Sequence, residues 1–137
     1  MADVTFTDHS REAIEAMQEA VNAALDAIGL QAVSHAKNNL TAAGRVNTGN
    51  LRNSISHAVH EAVAYIGTNI NYALYVEMGT GVYIAGGRKS PWAFQDADGN
   101  WHFTRGIPPS HFLKNAAADH VDEYKSIAET VIKSHQP

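Results

Sequence analysis

Several stretches of the chain carry residue types from which a reaction centre could be built. His57-Ala58-Val59-His60 sets two imidazoles three positions apart, in a chain with eight histidines. One metal ion would meet both rings only on a helix, and this segment alternates like a strand. Gly81, Gly86 and Lys89-Ser90 approach a phosphate-binding loop. Gly87 and Arg88 part the second glycine from the lysine, and Pro91-Trp92 stand where that motif opens a helix. Asp96-Ala97-Asp98-Gly99-Asn100 begins like a calcium loop, but Trp101-His102 follow and the closing glutamate is missing. Turn chemistry accounts for those Asp, Gly and Asn residues. No His-Glu-x-x-His occurs, and no Ser, His and acid form a nucleophile elbow. The expectation is a protein that is not an enzyme, with no cofactor and no metal.

Contact is the better use for the remaining candidates. Arg52 and Glu77 read either as solvated helix charges or as contacts between subunits, and as exposed charges they would contribute about 0–1 kcal/mol to the fold. Charge reversal at Glu77 is therefore expected to leave melting unchanged. Tyr72, Tyr75 and Met78 have helical spacing and read first as core, second as interface. Trp92 and Trp101 flank a tight polar turn, as a partner-contacting hairpin would place them.

The elements that must position these residues follow from patterning. A chain of 137 residues without cysteine, 45% hydrophobic and 18% charged, is expected to fold as one domain over residues 1–137 with no disulfide. Its net charge of −4 speaks against a general nucleic-acid binder. Met1 to Thr5 has no signal-peptide character, and no apolar run reaches the ~20 residues of a membrane span. Ile14, Met17, Val21, Leu25, Ile28, Ala32, Val33 and Ala36 mark one stripe of a long helix from Ser10 to about Asn39, capped by Asp8 or Ser10. Gly29 is a possible bend. A loop to Asn47 precedes a short helix capped by Thr48 and running through Arg52. Ile55, His57 and Val59 alternate with polar or small residues, and Ala62 to Ile66 supplies the second strand of a hairpin turning near His60-Glu61. Tyr72 to Met78 makes a short helix. Trp92-Ala93-Phe94 and Trp101-His102-Phe103 flank Asp98-Gly99 as a second hairpin over 91–105, with all four large aromatics on one face. A last helix spans about His111 to Lys133. The fold class is α+β: a small antiparallel sheet packed against a long N-terminal and a C-terminal helix, with an extra aromatic hairpin.

The order Thr48-Gly49-x-Leu51-Arg52-x-Ser54-Ile55, then Ile66-Gly67-Thr68-Asn69, then Tyr72-Ala73-x-Tyr75-Val76-Glu77-x-Gly79-Thr80 resembles the tail-completion, or head–tail joining (neck), proteins of long-tailed bacteriophages. The likeness covers Thr48 to Thr80. The family's Pro-Phe-Leu opening of the last helix is here Pro108-Pro109-Ser110-His111-Phe112-Leu113, and the hairpin between Gly81 and Gly106 is an insertion or an enlarged family loop. The resemblance implies a structural virion protein at the head–tail junction, made and assembled in the host bacterial cytoplasm. It implies a ring of copies, a hexamer in the virion and a monomer when free. Its partners would be a tail terminator or tail tube protein and a head connector or stopper, with DNA only as passing cargo and no membrane. Arg52, Tyr72, Tyr75, Glu77, Trp92 and Trp101 are the expected contacts. A small phage-encoded binding module using the hairpin, or a phage-borne hydrolase, are the alternatives.

Overall fold

The computed structural model describes residues 8–44 and 49–135; the expected cap at Thr48 lies outside them. Helix α1 runs Ser10–Ala42, past the expected end at Asn39, because Asn38, Asn39 and Thr41 continue the helical ladder. Asp8 accepts a hydrogen bond from the Ser10 N–H at 2.8 Å, satisfying one free donor at the helix start and holding the Asp8 carboxyl below its ordinary range. Short helix α2 (Asn50–Ser54) leads into strand β1 (Ser56–His60), paired antiparallel with β2 (Val63–Gly67). Helix α3 spans Ala73–Met78. A second antiparallel pair, β3 (Trp92–Gln95) and β4 (Trp101–Thr104), precedes α4 (Phe112–Ala118) and α5 (Val121–Ser134). The architecture is α+β, with two separate two-stranded sheets among the described residues.

The apolar stripe of α1 buries only its C-terminal half. Val33, Ala36 and Leu40 meet Leu51 and Ile55 of the α2 region, Ala73 of α3, and Phe112 and Ala116 of α4. Phe112 and Leu40 are fully buried, each worth about 1.5–3 kcal/mol of transfer free energy. Ile14 and Met17, expected on the packed stripe, are instead 55% and 67% exposed, because that half of the helix buries Ala20 and Ala24 and meets α5 near Ile132 on its alanine side.

Gly29 does not interrupt α1. It is buried, and a Cβ there would stand 2.6 Å from His57 Cδ2. The missing side chain admits the His57 ring, whose Nε2 lies 2.7 Å from Asp26 Oδ1. His57 and Val59 of β1, with Ala64 and Ile66 of β2, alternate as partly covered positions of that hairpin, and Gly67 at the end of β2 is partly covered as well. Its turn falls at Glu61-Ala62, one residue beyond the expected site, with φ of 49° and 60°. A two-residue loop of the type I′ kind needs positive φ at both positions, which Asn and Gly supply far more cheaply than Glu and Ala.

The last helix is two helices rather than one. Asp119 and His120 separate α4 from α5, with His120 at φ −126°, outside helical geometry. The Tyr124 hydroxyl donates to the carbonyl of Ala116 and braces the break.

Candidate interaction surface

Helix α3 turns one side to the core and the rest outward. Ala73 is buried, whereas Tyr72, Leu74, Tyr75 and Met78 are exposed, Tyr75 by 56%. The expectation that Tyr72, Tyr75 and Met78 serve mainly as core is thereby corrected. A helix of six residues has room for one buried turn, and Ala73 and Val76 take it.

The Gly-Thr-Gly segment after α3 crosses the chain leaving β4. Thr80 N–H donates to the Ile107 carbonyl at 2.9 Å, Val82 N–H to Arg105 at 3.0 Å, and Ile107 N–H to Thr80 Oγ1 at 2.9 Å. Gly81 and Gly106 permit this contact. A Cβ on Gly81 would fall 2.0 Å from the Arg105 carbonyl oxygen, and one on Gly106 would fall 2.1 Å from that of Thr80. Both have positive φ. Backbone meets backbone, and the aromatic hairpin is set beside α3.

Between them lies an apolar groove of about 440 Å³, lined by Tyr72, Tyr75 and Val76 on one side and by Trp92, Phe94 and Ile107 on the other. The Arg88 guanidinium carbon sits 5.6 Å from the Trp92 ring centroid, a cation–π distance. The register pairs Trp92 with Thr104, Phe94 with His102 and Gln95 with Trp101. Directly opposed residues share a face, so Trp92 and Phe94 look one way while Trp101 and Phe103 look the other. The expectation of all four aromatics on one face is corrected by that register. Trp101 and Phe103 are 67% and 83% exposed. No family model matches the chain, and no curated protein or solved structure matches it to a significant degree.

The hairpin's own turn is built around Asp96. Asp96 Oδ1 accepts from the N–H groups of Asp98 and Asn100 at 3.0 and 2.8 Å, and Oδ2 lies 2.6 Å from His102 Nε2. His102 and the Asn100 N–H together hold the Asp96 carboxyl below its ordinary range. The calcium-like spelling is thus a turn whose acid is satisfied by the hairpin itself.

Glu77 has a different task from the one its sequence suggests. Its Oε2 accepts from the Leu113 N–H at 2.9 Å and its Oε1 from the Lys114 N–H at 3.0 Å. The carboxylate caps the start of α4, where free donors and the helix dipole favour an anion. The reading of Glu77 as a solvated charge is corrected on that geometry. Arg52 lies apart from the groove on α2, with Nε donating to Thr41 Oγ1 at 3.2 Å. Of the expected contacts, Tyr72, Tyr75 and Trp92 therefore come together, Trp101 stands on the opposite hairpin face, and Arg52 and Glu77 are engaged within the chain. Sequence reasoning missed Phe94 and Ile107 as groove partners of α3. The Phe94 side was open to it through the strand period; the Ile107 contact depends on the crossing at Gly81 and Gly106, which no local pattern announces.

Proposed function

We propose that the chain is a structural subunit of the head–tail junction of a long-tailed phage, acting through contacts and not through catalysis. Support comes from the likeness over Thr48 to Thr80. The observation that carries it is exposed apolar surface on two faces: Tyr72, Tyr75 and Phe94 along the groove, and Trp101 and Phe103 on the opposite face of the hairpin. Exposed aromatic surface of this kind marks faces meant to be covered. A closed ring of copies needs two different faces on each subunit, and the two aromatic faces of the hairpin meet that need. In this reading the groove receives a neighbouring subunit or the tail end, and the free protein stays monomeric until the tail presents its template.

The test begins with the neighbouring genes, where portal, connector and major tail genes are expected. Electron microscopy of the purified protein mixed with tail tubes from the same phage should then show a sixfold ring closing one tube end. Bare tube ends at saturating protein, or a gene neighbourhood without virion genes, would overturn the proposal. A Tyr75→Glu/Phe94→Glu protein should fold normally and fail to cap the tubes, since both side chains are exposed.

A further inference from the structure

Helix α5 has no fully buried side chain, and a polar cluster ties its first turn to α1. His35 of α1 and His120, the residue before α5, stack with ring centroids 3.4 Å apart and planes 5° from parallel. Glu123 brings Oε2 to 2.9 Å from His35 Nε2 and to 3.6 Å from His120 Nδ1. All three residues are part-buried, and one ligand atom from each lies within 4.8 Å of the others. Gln31 Nε2 stands 3.4 Å from His35 Nε2 at the edge of the cluster.

We propose that His35, His120 and Glu123 form a divalent transition-metal site, suited to zinc, that clamps α5 onto α1. Two neutral imidazoles and one carboxylate make the donor set of an open zinc site, with the fourth position left to water. Nitrogen-rich borderline ligands of this kind favour zinc, cobalt or nickel over magnesium or calcium, which prefer oxygen. Ligand atoms around zinc stand roughly 3.3 Å apart, so the widest separation in the cluster must close by up to about 1.5 Å. The rings must also tilt out of their stack, because imidazole lone pairs lie in the ring plane and have to converge on one point. His120 caps the start of α5 with non-helical φ, its carbonyl accepting from the Tyr124 N–H, and its partly exposed ring has room to turn. The rearrangement gives up the His35–Glu123 hydrogen bond and disturbs no fully buried side chain of α5. The pattern is invisible to local motif reading because 88 positions separate His35 from Glu123; His120-x-x-Glu123 alone is a common helix-start spacing. The site does not depend on the assembly role.

The experiment uses the untagged full chain, stripped with chelator and titrated with zinc and then cobalt chloride. Calorimetry should give one zinc per chain, and zinc should raise the melting temperature, because a ligand bound only by the folded state stabilises it. His35→Gln and Glu123→Gln should each weaken zinc binding at least tenfold and abolish the melting shift. His102→Gln, in the distant hairpin, should leave both unchanged. X-ray absorption on the zinc-loaded wild type reads the ligands without any variant, and should find two imidazoles with oxygen completing the shell. Substoichiometric binding, unchanged affinity in the folded His35→Gln and Glu123→Gln proteins, or fewer than two imidazoles on the metal would overturn the site.

Discussion

The two hairpins reverse each other's strengths. β1–β2 turns through Glu61 and Ala62, both at positive φ, where side-chain-bearing residues sit at a cost of order 1–2 kcal/mol each. It persists because His57 fits over Gly29 while Val59, Ala64 and Ile66 are partly covered. β3–β4 has the better turn: Asp96 accepts from two backbone N–H groups, Gly99 takes the positive φ, and Gln95 Nε2 donates to the Gly99 carbonyl. Yet most of its residues are exposed, and its base is held by the backbone crossing near Gly81 and Gly106. Tertiary packing sustains a hairpin with poor local chemistry; good local chemistry sustains one with little packing. The second presents three exposed aromatic side chains, Phe94, Trp101 and Phe103, where the first presents one, Tyr65.

The sharpest way to break this comparison is to remove one ring from each region. Phe112→Ala opens a cavity in the core on which the packed half depends, and should lose about 3–5 kcal/mol in urea unfolding. Phe103→Ala removes a ring that is 83% exposed, and should stay within about 0.5 kcal/mol of wild type. A large loss from Phe103→Ala would mean that the hairpin belongs to the cooperative core.

The next effect lies at the boundary between the two regions. Glu77 joins the end of α3 to the start of α4 through two backbone hydrogen bonds. Glu77→Lys leaves those donors unpaired and puts a cation at a helix N-terminus, so about 1–2 kcal/mol should be lost. Thermal melting measures it. An unchanged melting curve would restore the view of Glu77 as a solvated charge.

A smaller gain is expected from repairing the poor turn. Glu61→Asn/Ala62→Gly supplies the pair that a type I′ loop prefers, and should raise stability by about 1 kcal/mol. If the double substitution destabilises the protein instead, the strain argument for this turn fails.

Legibility followed the range of the forces involved. The long α1 stripe, the alternation of His57 and Val59, and the Asp98-Gly99 turn are local patterns, and each gave the right element. The half-exposure of α1 was not readable, because Ile14 and Met17 are as apolar as Val33 and differ only in what lies opposite. Glu77 looked like any helix-surface acid, since its partners at Leu113 and Lys114 come from a later helix. The split between α4 and α5 carries no proline or glycine; His120 leaves the helix where its ring stacks on His35 of another element. The hairpin register was readable in principle. Opposed residues here share parity, and Trp92 and Trp101 do not.

The smallest effect is local and depends on pH. The Asp96 carboxyl is held below its ordinary value of 3.8, mainly by His102 and then by the Asn100 N–H. A carboxyl with a lowered folded value favours the folded turn at pH above 3.8, and that preference fades as pH falls through the lower folded value. Acid should therefore loosen the β3–β4 turn, while the packing of Val33, Leu40 and Phe112 contains no titrating group. The chain's two tryptophans, Trp92 and Trp101, both lie in this hairpin, so tryptophan fluorescence reports on it selectively. Titrating from neutral pH to below 3.8, the emission should change before the helical circular dichroism does. Asp96→Asn cannot carry the charge, so it should show the altered emission already at neutral pH and no further acid step. Fluorescence and circular dichroism that move together in the wild type would show the hairpin to be welded to the core, and the contrast between the two hairpins would fall with it.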